Sequence, residues 1–174
     1  MILMRKLDPT QILELKNEIN VLFGSVVKSD KFSLEQVPED YFIRLSKMPE
    51  FSLYGYFLEN RLVAFRSSIE TTNKLIAHYV GFDSEINAEA KIYQRMLFDY
   101  VEEGITKQLP AIHLGRTALE IKSTVGAEGE NYSLLFHSDN WFYRTVGNYY
   151  VKRLSATIYE ARSPFKEEAT EMKE

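Results

Sequence analysis

Residues 113–127, HLGRTALEIKSTVGA, join a strand-like segment to a helix-like one and carry the most chemically specific residue set of the chain. Arg116 lies beside the predicted helix start, where unpaired amides and the helix dipole favour an anion. Lys122 follows within the same predicted helix. Together with Gly115 and Thr117, these two cations predict a binding site for a phosphate or a carboxylate.

The same segment also has a purely structural interpretation. Thr117 and Glu120 have the spacing of a capping box, in which each side chain bonds to a backbone amide at the helix start. Gly115 suits a tight strand-to-helix turn, and Gly126 suits a left-handed helix end. Arg116 would then form only a surface ion pair. The sequence leaves both interpretations open.

General base chemistry near neutral pH is most readily supplied by histidine, and the chain has His78, His113 and His137. None forms a ligand-spaced pair, so we predict no metal site. His78 and His113 lie on predicted strands that should be neighbours, and each is either a catalytic base or an ordinary strand histidine. Asp83 ends the His78 strand and could act as a base or cap the next helix.

The hydrophobic pattern predicts the elements that position these residues. Segments joined by short turn-like links predict an antiparallel meander of three strands: 51–58, 61–70 and 74–82. Apolar residues at helical spacing predict helices over 12–26, from Pro38, over 87–107 and over 141–154. Further strands are predicted at 111–115 and 131–137, with a short helix between them. The predicted fold class is α/β (α+β), with a mixed, mainly antiparallel sheet flanked by helices.

Composition bounds the class of protein. The 174 residues are 45% hydrophobic, which predicts a single domain over 1–160 and a polar tail over 161–174. There are no cysteines, and the net charge is −4, which gives no general attraction to nucleic acid. No segment approaches the roughly 20 apolar residues that span a bilayer, so we expect no membrane span. The lack of cysteines favours a cytoplasmic protein.

The order of the predicted elements resembles the GNAT superfamily of N-acyltransferases: two helices, three antiparallel strands, then helix, strand, helix, strand and helix. The more specific resemblance is to bacterial acetyltransferase-like proteins related to the Fem-type aminoacyl transferases. It rests on five short motifs and the helix that carries Tyr93-Gln94; the motifs are Gly81-Phe82-Asp83, Gly115-Arg116-Thr117, Glu120-Ile121-Lys122, Gly126-Ala127 and the segment Arg162-Ser163-Pro164-Phe165-Lys166.

The resemblance implies where an acyl donor would bind. In GNAT proteins the donor, usually an acyl-CoA, lies where the fourth and fifth strands splay apart, here Lys74–Phe82 and Ala111–Gly115. Its pantetheine arm would contact the fourth strand at Tyr79, Val80, Gly81 and Phe82. Tyr93 on the next helix is a candidate substrate contact, or an ordinary core tyrosine.

One segment departs from the GNAT pattern. The family cradles the donor's pyrophosphate on a glycine-rich loop, whereas residues 83–89 here read DSEINAE, with three carboxylates and no glycine. Without glycine, backbone amides approach phosphate less closely, and the carboxylates repel it. We therefore predict weak or absent donor binding at this loop.

The predicted function is transfer of an acyl group to an amine on a small molecule or a peptide. Two alternatives stay open: a non-catalytic GNAT-like binding module, and a Fem-like domain that uses aminoacyl-tRNA and needs a partner domain. A homodimer or a second GNAT-like domain would supply that partner. Aromatic and basic residues interleave over 141–153, which suits either RNA contact or ordinary helix packing.

Overall fold

The structure is a computed structural model that describes residues 1–29, 37–130, 137–151, 162 and 164. The chain divides into two compact units, Met1–Thr117 and Ala118–Glu174. The single domain predicted over 1–160 and the tail predicted over 161–174 stay predictions.

The first unit contains five strands and five helices in its described part. Their order along the chain is β1 (Leu3–Lys6), α1 (Pro9–Glu14), α2 (Lys16–Ser29), α3 (Tyr41–Leu45), β2 (Phe51–Leu58), β3 (Arg61–Glu70), β4 (Lys74–Phe82), α4 (Ser84–Ala90), α5 (Ile92–Thr106) and β5 (Ala111–His113).

The second unit is described over two helices, α6 (Leu119–Ser123) and α7 (Trp141–Val151). The strand predicted at 131–137 lies outside the described residues apart from His137. The end of the helix predicted over 141–154 lies outside them too, as does most of 161–174. No described helix has both the length and the apolar character needed to cross a membrane.

The strands form one sheet in the order β1-β2-β3-β4-β5. Neighbours from β1 to β4 are antiparallel, and β4 and β5 are parallel. The β2–β3 hairpin turns at Glu59 and Asn60, whose φ angles are 50° and 68°. Two-residue hairpin turns of this kind need positive φ at both positions. The predicted mixed, mainly antiparallel sheet is confirmed.

β5 pairs only with the first three residues of β4, Lys74 to Ile76. After His113 the chain turns away, and Gly115 has a φ of 79°. Among the described residues, β5 therefore does not continue along the outer edge of β4 from Ala77 to Phe82, which we call the open edge. This is the predicted splay between the fourth and fifth strands.

Side chains of a strand alternate between the two faces of the sheet, and here both faces carry apolar residues. Helices therefore cover both faces. On one face, residues of α1, α2 and α3, including Ile19, Phe23 and Phe42, pack against strand residues such as Phe65. On the other face, Ile92 and Met96 of α5 pack against Tyr56 and Val63. We call these the α2 face and the α5 face.

Four details of the first unit differ from the sequence prediction. The strand β1 was not predicted, because it has only four residues, Leu3–Lys6, and these are mostly exposed. The first predicted helix is divided at Leu15 into α1 and α2. The helix predicted over 87–107 is likewise divided at Lys91 into α4 and α5. Lys91 adopts left-handed backbone angles, φ 51° and ψ 43°, which end α4. The strand predicted over 111–115 ends at His113.

Candidate active site

A β-bulge in β4 shapes the open edge. Arg66 pairs with Val80 and Ser68 pairs with Ala77, so two residues of β4, His78 and Tyr79, lie opposite the single residue Ser67 of β3. A bulge bends its strand and turns side chains away from the regular alternation. Here it places both rings on the α2 face, where each packs near Tyr41 of α3.

Ser67 fixes the orientation of the bulge. Its hydroxyl donates to the carbonyl oxygen of Tyr79 at 3.0 Å and accepts from the Tyr79 amide at 3.0 Å. Its backbone carbonyl accepts from the hydroxyl of Tyr100 on α5 at 2.8 Å. Helix α5 therefore supports the bulge through the sheet.

The hydrogen bonds assign the tautomer of a neutral His78. The Ser67 Oγ lies 3.2 Å from His78 Nδ1, and its one hydrogen is directed to Tyr79. Nδ1 must therefore be the protonated nitrogen that donates to Ser67. The other nitrogen, Nε2, lies 3.0 Å from the Tyr41 hydroxyl and accepts from it. His78 thus presents its basic nitrogen to a phenol.

The backbone of β4 offers polar groups at the open edge. The Asp83 amide donates to the Val63 carbonyl at 2.9 Å, which makes this a hydrogen-bonded position of the β3–β4 ladder. Such positions alternate, so Val80 and Phe82 direct their N–H and C=O groups away from β3. The Phe82 carbonyl accepts from Ser25 Oγ of α2 at 2.8 Å.

Gly81 lets α2 approach β4. A Cβ atom built on Gly81 would lie 2.7 Å from backbone atoms of both Leu22 and Phe23, and 2.3 Å from the ring of Phe65. Any side chain at this position would overlap the helix. The residue predicted as a donor contact therefore also has a packing role in the fold.

Asp83 is the N-cap of α4. Its Oδ1 accepts from the amides of Glu85 at 3.0 Å and Ile86 at 3.3 Å, and its Oδ2 lies 3.4 Å from Arg61 Nη2. Of the two predicted roles, the helix cap is the one that the geometry shows.

The segment after β4 is a poor match for a diphosphate. It is folded as α4, which carries Glu85 and Glu89. The N terminus of α5 would be the anion seat, but the Tyr93 amide already donates to Asn87 Oδ1 at 2.9 Å. The prediction of weak donor binding at this segment stays a prediction, and the geometry agrees with it.

Tyr93 belongs to the α5 face of the core. Its ring centroid lies 5.8 Å from that of Phe82, and it packs with the cluster around Ile92 and Met96. Burial raises the pKa of its hydroxyl. These contacts match the core alternative for Tyr93.

The other predicted site residues differ from His78 in their burial or in the unit to which they belong. His113 is exposed at the end of β5. Gly115, Arg116 and Thr117 are also exposed and end the first unit, whereas Lys122 is buried in the second. An anion site formed by these residues stays a prediction.

The predicted capping box at Thr117 is wrong. Helix α6 begins at Leu119, its N-cap is Ala118 with left-handed backbone angles, and no side chain caps it. The Glu120 side chain instead pairs with Arg162, whose amide donates to Ser123 Oγ at 2.8 Å. The predicted left-handed glycine is confirmed, since Gly126 has a φ of 82°.

The burial of Lys122 leads us to predict a specific pH dependence of the free energy of unfolding. Burial lowers the pKa of its ammonium group from 10.5 to about 8. Between these values the unfolded chain holds a proton that the folded chain has lost, so stability rises with pH across that window. We expect the free-energy difference between wild type and Lys122→Met to change by on the order of 3 kcal/mol from pH 8 to pH 10.5, measured by urea unfolding. A difference independent of pH would contradict this.

Sequence reasoning missed a buried charged cluster beneath α5. Arg66 of β3 is 1% exposed, and its Nη1 lies 2.6 Å from Glu103 Oε2. The guanidinium stacks on the rings of Tyr54 and Tyr100, at 4.1 and 4.7 Å. The available signal was an arginine that directly follows the apolar run Leu62–Phe65 within a predicted strand.

Other polar groups complete this cluster. Glu103 also accepts from Ser68 Oγ at 3.2 Å and lies 3.1 Å from Lys107 Nζ. One helical turn earlier, Asp99 accepts from the Tyr56 hydroxyl at 2.6 Å. No group of three or more potential metal ligands occurs within the residues that the structure describes.

Comparison with known proteins identifies relatives by fold rather than by sequence. No protein-family model matches the chain, and no curated protein sequence matches it. Solved structures do match, and 67 chains are similar to this one. Several of these structures are described as acetyltransferases.

Three of them illustrate the likeness. An aminoglycoside acetyltransferase from an uncultured soil metagenomic sample, in complex with sisomicin, has a TM-score of 0.58 at 11% identity, over 79% of this chain and 97% of its own. A ribosomal-protein-alanine N-acetyltransferase from Brucella melitensis biovar Abortus 2308 has a TM-score of 0.61 at 11% identity, over 80% and 99%. A predicted acetyltransferase from Clostridium acetobutylicum, solved with acetyl-CoA, has a TM-score of 0.59 at 14% identity, over 79% and 96%.

At these identities the likeness concerns the fold. The GNAT-like fold expected from the sequence is confirmed. The closer resemblance to the Fem-type branch stays a prediction, as do the cytoplasmic location and the possible dimer or tRNA partner.

Proposed function

We propose that this protein is an N-acyltransferase that moves an acyl group from a thioester to an amine. The observation that supports it most is the edge of β4, where Val80 and Phe82 direct polar groups away from β3 and the adjoining bulge holds His78 Nε2 against the Tyr41 hydroxyl. The acetyltransferases that share the fold support the same reaction class.

The open edge suits the donor. A pantetheine-like arm contains two amide groups, and the outward N–H and C=O of Val80 can pair with such groups as a neighbouring strand would. This seating would bring the thioester toward the bulge. Geometry and oriented dipoles then supply much of the rate enhancement.

The reaction balances through His78 and Tyr41. The amine nitrogen attacks the thioester carbonyl carbon, the N–C bond forms, and the C–S bond breaks with its electron pair leaving on sulfur. The amine loses one proton to the Tyr41 oxygen while Tyr41 passes its own proton to His78 Nε2, 3.0 Å away. His78 returns that proton through solvent to the thiolate.

A thiol-release assay tests this proposal. The chain has no cysteines, so a chromogenic disulfide reagent reports only the released substrate thiol. The amine panel includes an aminoglycoside and a peptide with an N-terminal alanine, and the donors are S-acetyl-pantetheine and acetyl-CoA. We expect thiol release that depends on at least one amine.

His78→Ala should lower kcat about 100-fold, because a positioned general base contributes at least that much, with little change in KM. His113→Ala is the matched control and should stay within about twofold of wild type. Thermal unfolding checks that both variants are folded. A His78→Ala enzyme with wild-type kcat would refute the assigned role. Donor binding without turnover by wild type would favour the non-catalytic binding module.

A further inference from the structure

Resting on the proposed function, we infer that the thioester donor is recognised through its acyl-pantetheine arm and not through a nucleotide diphosphate. The substrate class is thus an acyl-pantetheine thioester whose distal group is not held by this chain's α4–α5 segment. Three features of the segment after β4 carry the inference.

The first feature is the closed N terminus of α5. Ile92, Tyr93 and Gln94 open this 15-residue helix, and their amides have no partners in the preceding turn of the same helix. A diphosphate held at a helix start uses such amides. Here the central one, from Tyr93, donates to Asn87 Oδ1 at 2.9 Å.

Asn87 is itself fixed by both of its backbone groups. Its amide donates to the Asp83 carbonyl at 2.9 Å, and its carbonyl accepts from the Lys91 amide at 3.0 Å. The side chain therefore needs no rearrangement to cap α5. A phosphate would have to displace a preorganised intramolecular hydrogen bond.

The second feature is that α4 is closed in the same way. Asp83 Oδ1 occupies the amides of Glu85 and Ile86. Both helix starts that follow β4 are thus capped by side chains of the same segment. In each case a side-chain oxygen of the protein already accepts from amides that a bound phosphate would use.

The third feature is charge. The segment 83–91 contains the carboxylates of Asp83, Glu85 and Glu89 and one ammonium group, Lys91, which gives 1 − 3 = −2. Arg61 pairs with Asp83 at 3.4 Å across the strand end. A diphosphate would meet net like charge here, and repulsion between partly exposed groups weakens binding further.

The β4 edge differs at Val80, whereas the Phe82 carbonyl already accepts from Ser25 Oγ at 2.8 Å. Val80 and Phe82 direct their polar groups outward, and neither residue carries a charge. An uncharged arm with two amides matches this edge, whereas a dianionic group does not match the segment beyond it. Asp83 therefore marks the point along the chain where the fit to a pantetheine arm ends and the mismatch with a diphosphate begins.

Titration of the whole chain by NMR separates the two parts of the donor. The probes are pantetheine, coenzyme A and adenosine diphosphate. Pantetheine and coenzyme A should shift the amide resonances of Val80 and Phe82 with dissociation constants within about threefold of each other. Adenosine diphosphate should leave the resonances of Ile92–Gln94 unshifted.

A charge variant sharpens the test. Glu85→Gln with Glu89→Gln should tighten coenzyme A at least about threefold at low salt and leave pantetheine unchanged, because only the former carries phosphate. The matched control is Glu128→Gln, which removes an exposed carboxylate of the second unit. It should change neither affinity.

The outcomes distinguish two failures. Coenzyme A binding more than about tenfold tighter than pantetheine, with shifts at Ile92–Gln94, would overturn the inference and leave the proposed function standing. No shift at Val80 or Phe82 with either thiol would overturn the proposed function, and the inference with it. Similar affinities with shifts confined to β4 support both.

Discussion

Glu103→Ala should lower the free energy of unfolding by about 3–5 kcal/mol, because it leaves the Arg66 guanidinium as a buried charge without a counterion. Arg66 is 1% exposed and Glu103 is 8% exposed. Among the described residues Glu103 is the acidic partner of Arg66, and the Arg66 Nε is buried without a hydrogen-bond partner there. Urea unfolding at pH 7 measures the change.

The pH dependence has a definite sign. Burial pushes the pKa of Glu103 up, but the Arg66 guanidinium outweighs it and holds the pKa below its usual 4.5. A carboxyl group with a lowered pKa stabilises the fold above its unfolded value and loses that contribution as the pH falls through the folded value. The wild-type advantage over Glu103→Gln should therefore shrink below about pH 4.5.

Two further variants serve as controls. Asp40→Asn breaks the solvent-exposed i,i+4 pair with Arg44 and should leave the free energy of unfolding nearly unchanged. The double variant Arg66→Met with Glu103→Leu should be more stable than either single variant, since no charge is then left alone. A cost below about 1 kcal/mol for Glu103→Ala would show that the pair is solvated rather than buried.

Gly81→Val should destabilise the protein by about 3 kcal/mol or more, because backbone atoms rather than mobile side chains meet the new Cβ. Leu22 and Phe23 lie at 2.7 Å from that position, so α2 must shift as a body. Thermal unfolding measures the loss, and the NMR resonances of α2 report the shift.

The control comes from the facing helix. A Cβ on Gly24 of α2 meets no atom within 4 Å. Gly24→Ala should therefore stabilise the helix by about 0.5–1 kcal/mol, opposite in sign to the change at Gly81. Equal effects at both positions would contradict the packing assigned to Gly81.

The sequence predicted those elements whose cause is local. The alternation and turn residues around Glu59-Asn60 predicted the β2–β3 hairpin, and the strand-helix-strand order predicted the neighbours β4 and β5. The helix breaks at Leu15 and Lys91 were missed because neither residue is a glycine or a proline. Lys91 adopts a left-handed conformation that its side chain does not reveal.

The candidate site was predictable only in part. His78 was a candidate because of its strand, but the bulge that directs it toward Tyr41 leaves no mark in the sequence. Both His78 and Tyr79 fit a regular strand equally well. Tyr41 and Arg66 depend on contacts 37 positions away in the chain, which no local pattern reports.

The open edge of β4 also has a consequence for self-association. An exposed strand edge is a template on which another chain can add a strand, and long flat edges of this kind lead to aggregation. This edge is interrupted twice: the bulge at His78 and Tyr79 breaks its register, and Ser25 occupies the Phe82 carbonyl. A foreign strand could pair over only a few residues between these points. The irregularity that orients the histidine thus also shortens the stretch of β4 on which a strand of another copy could pair.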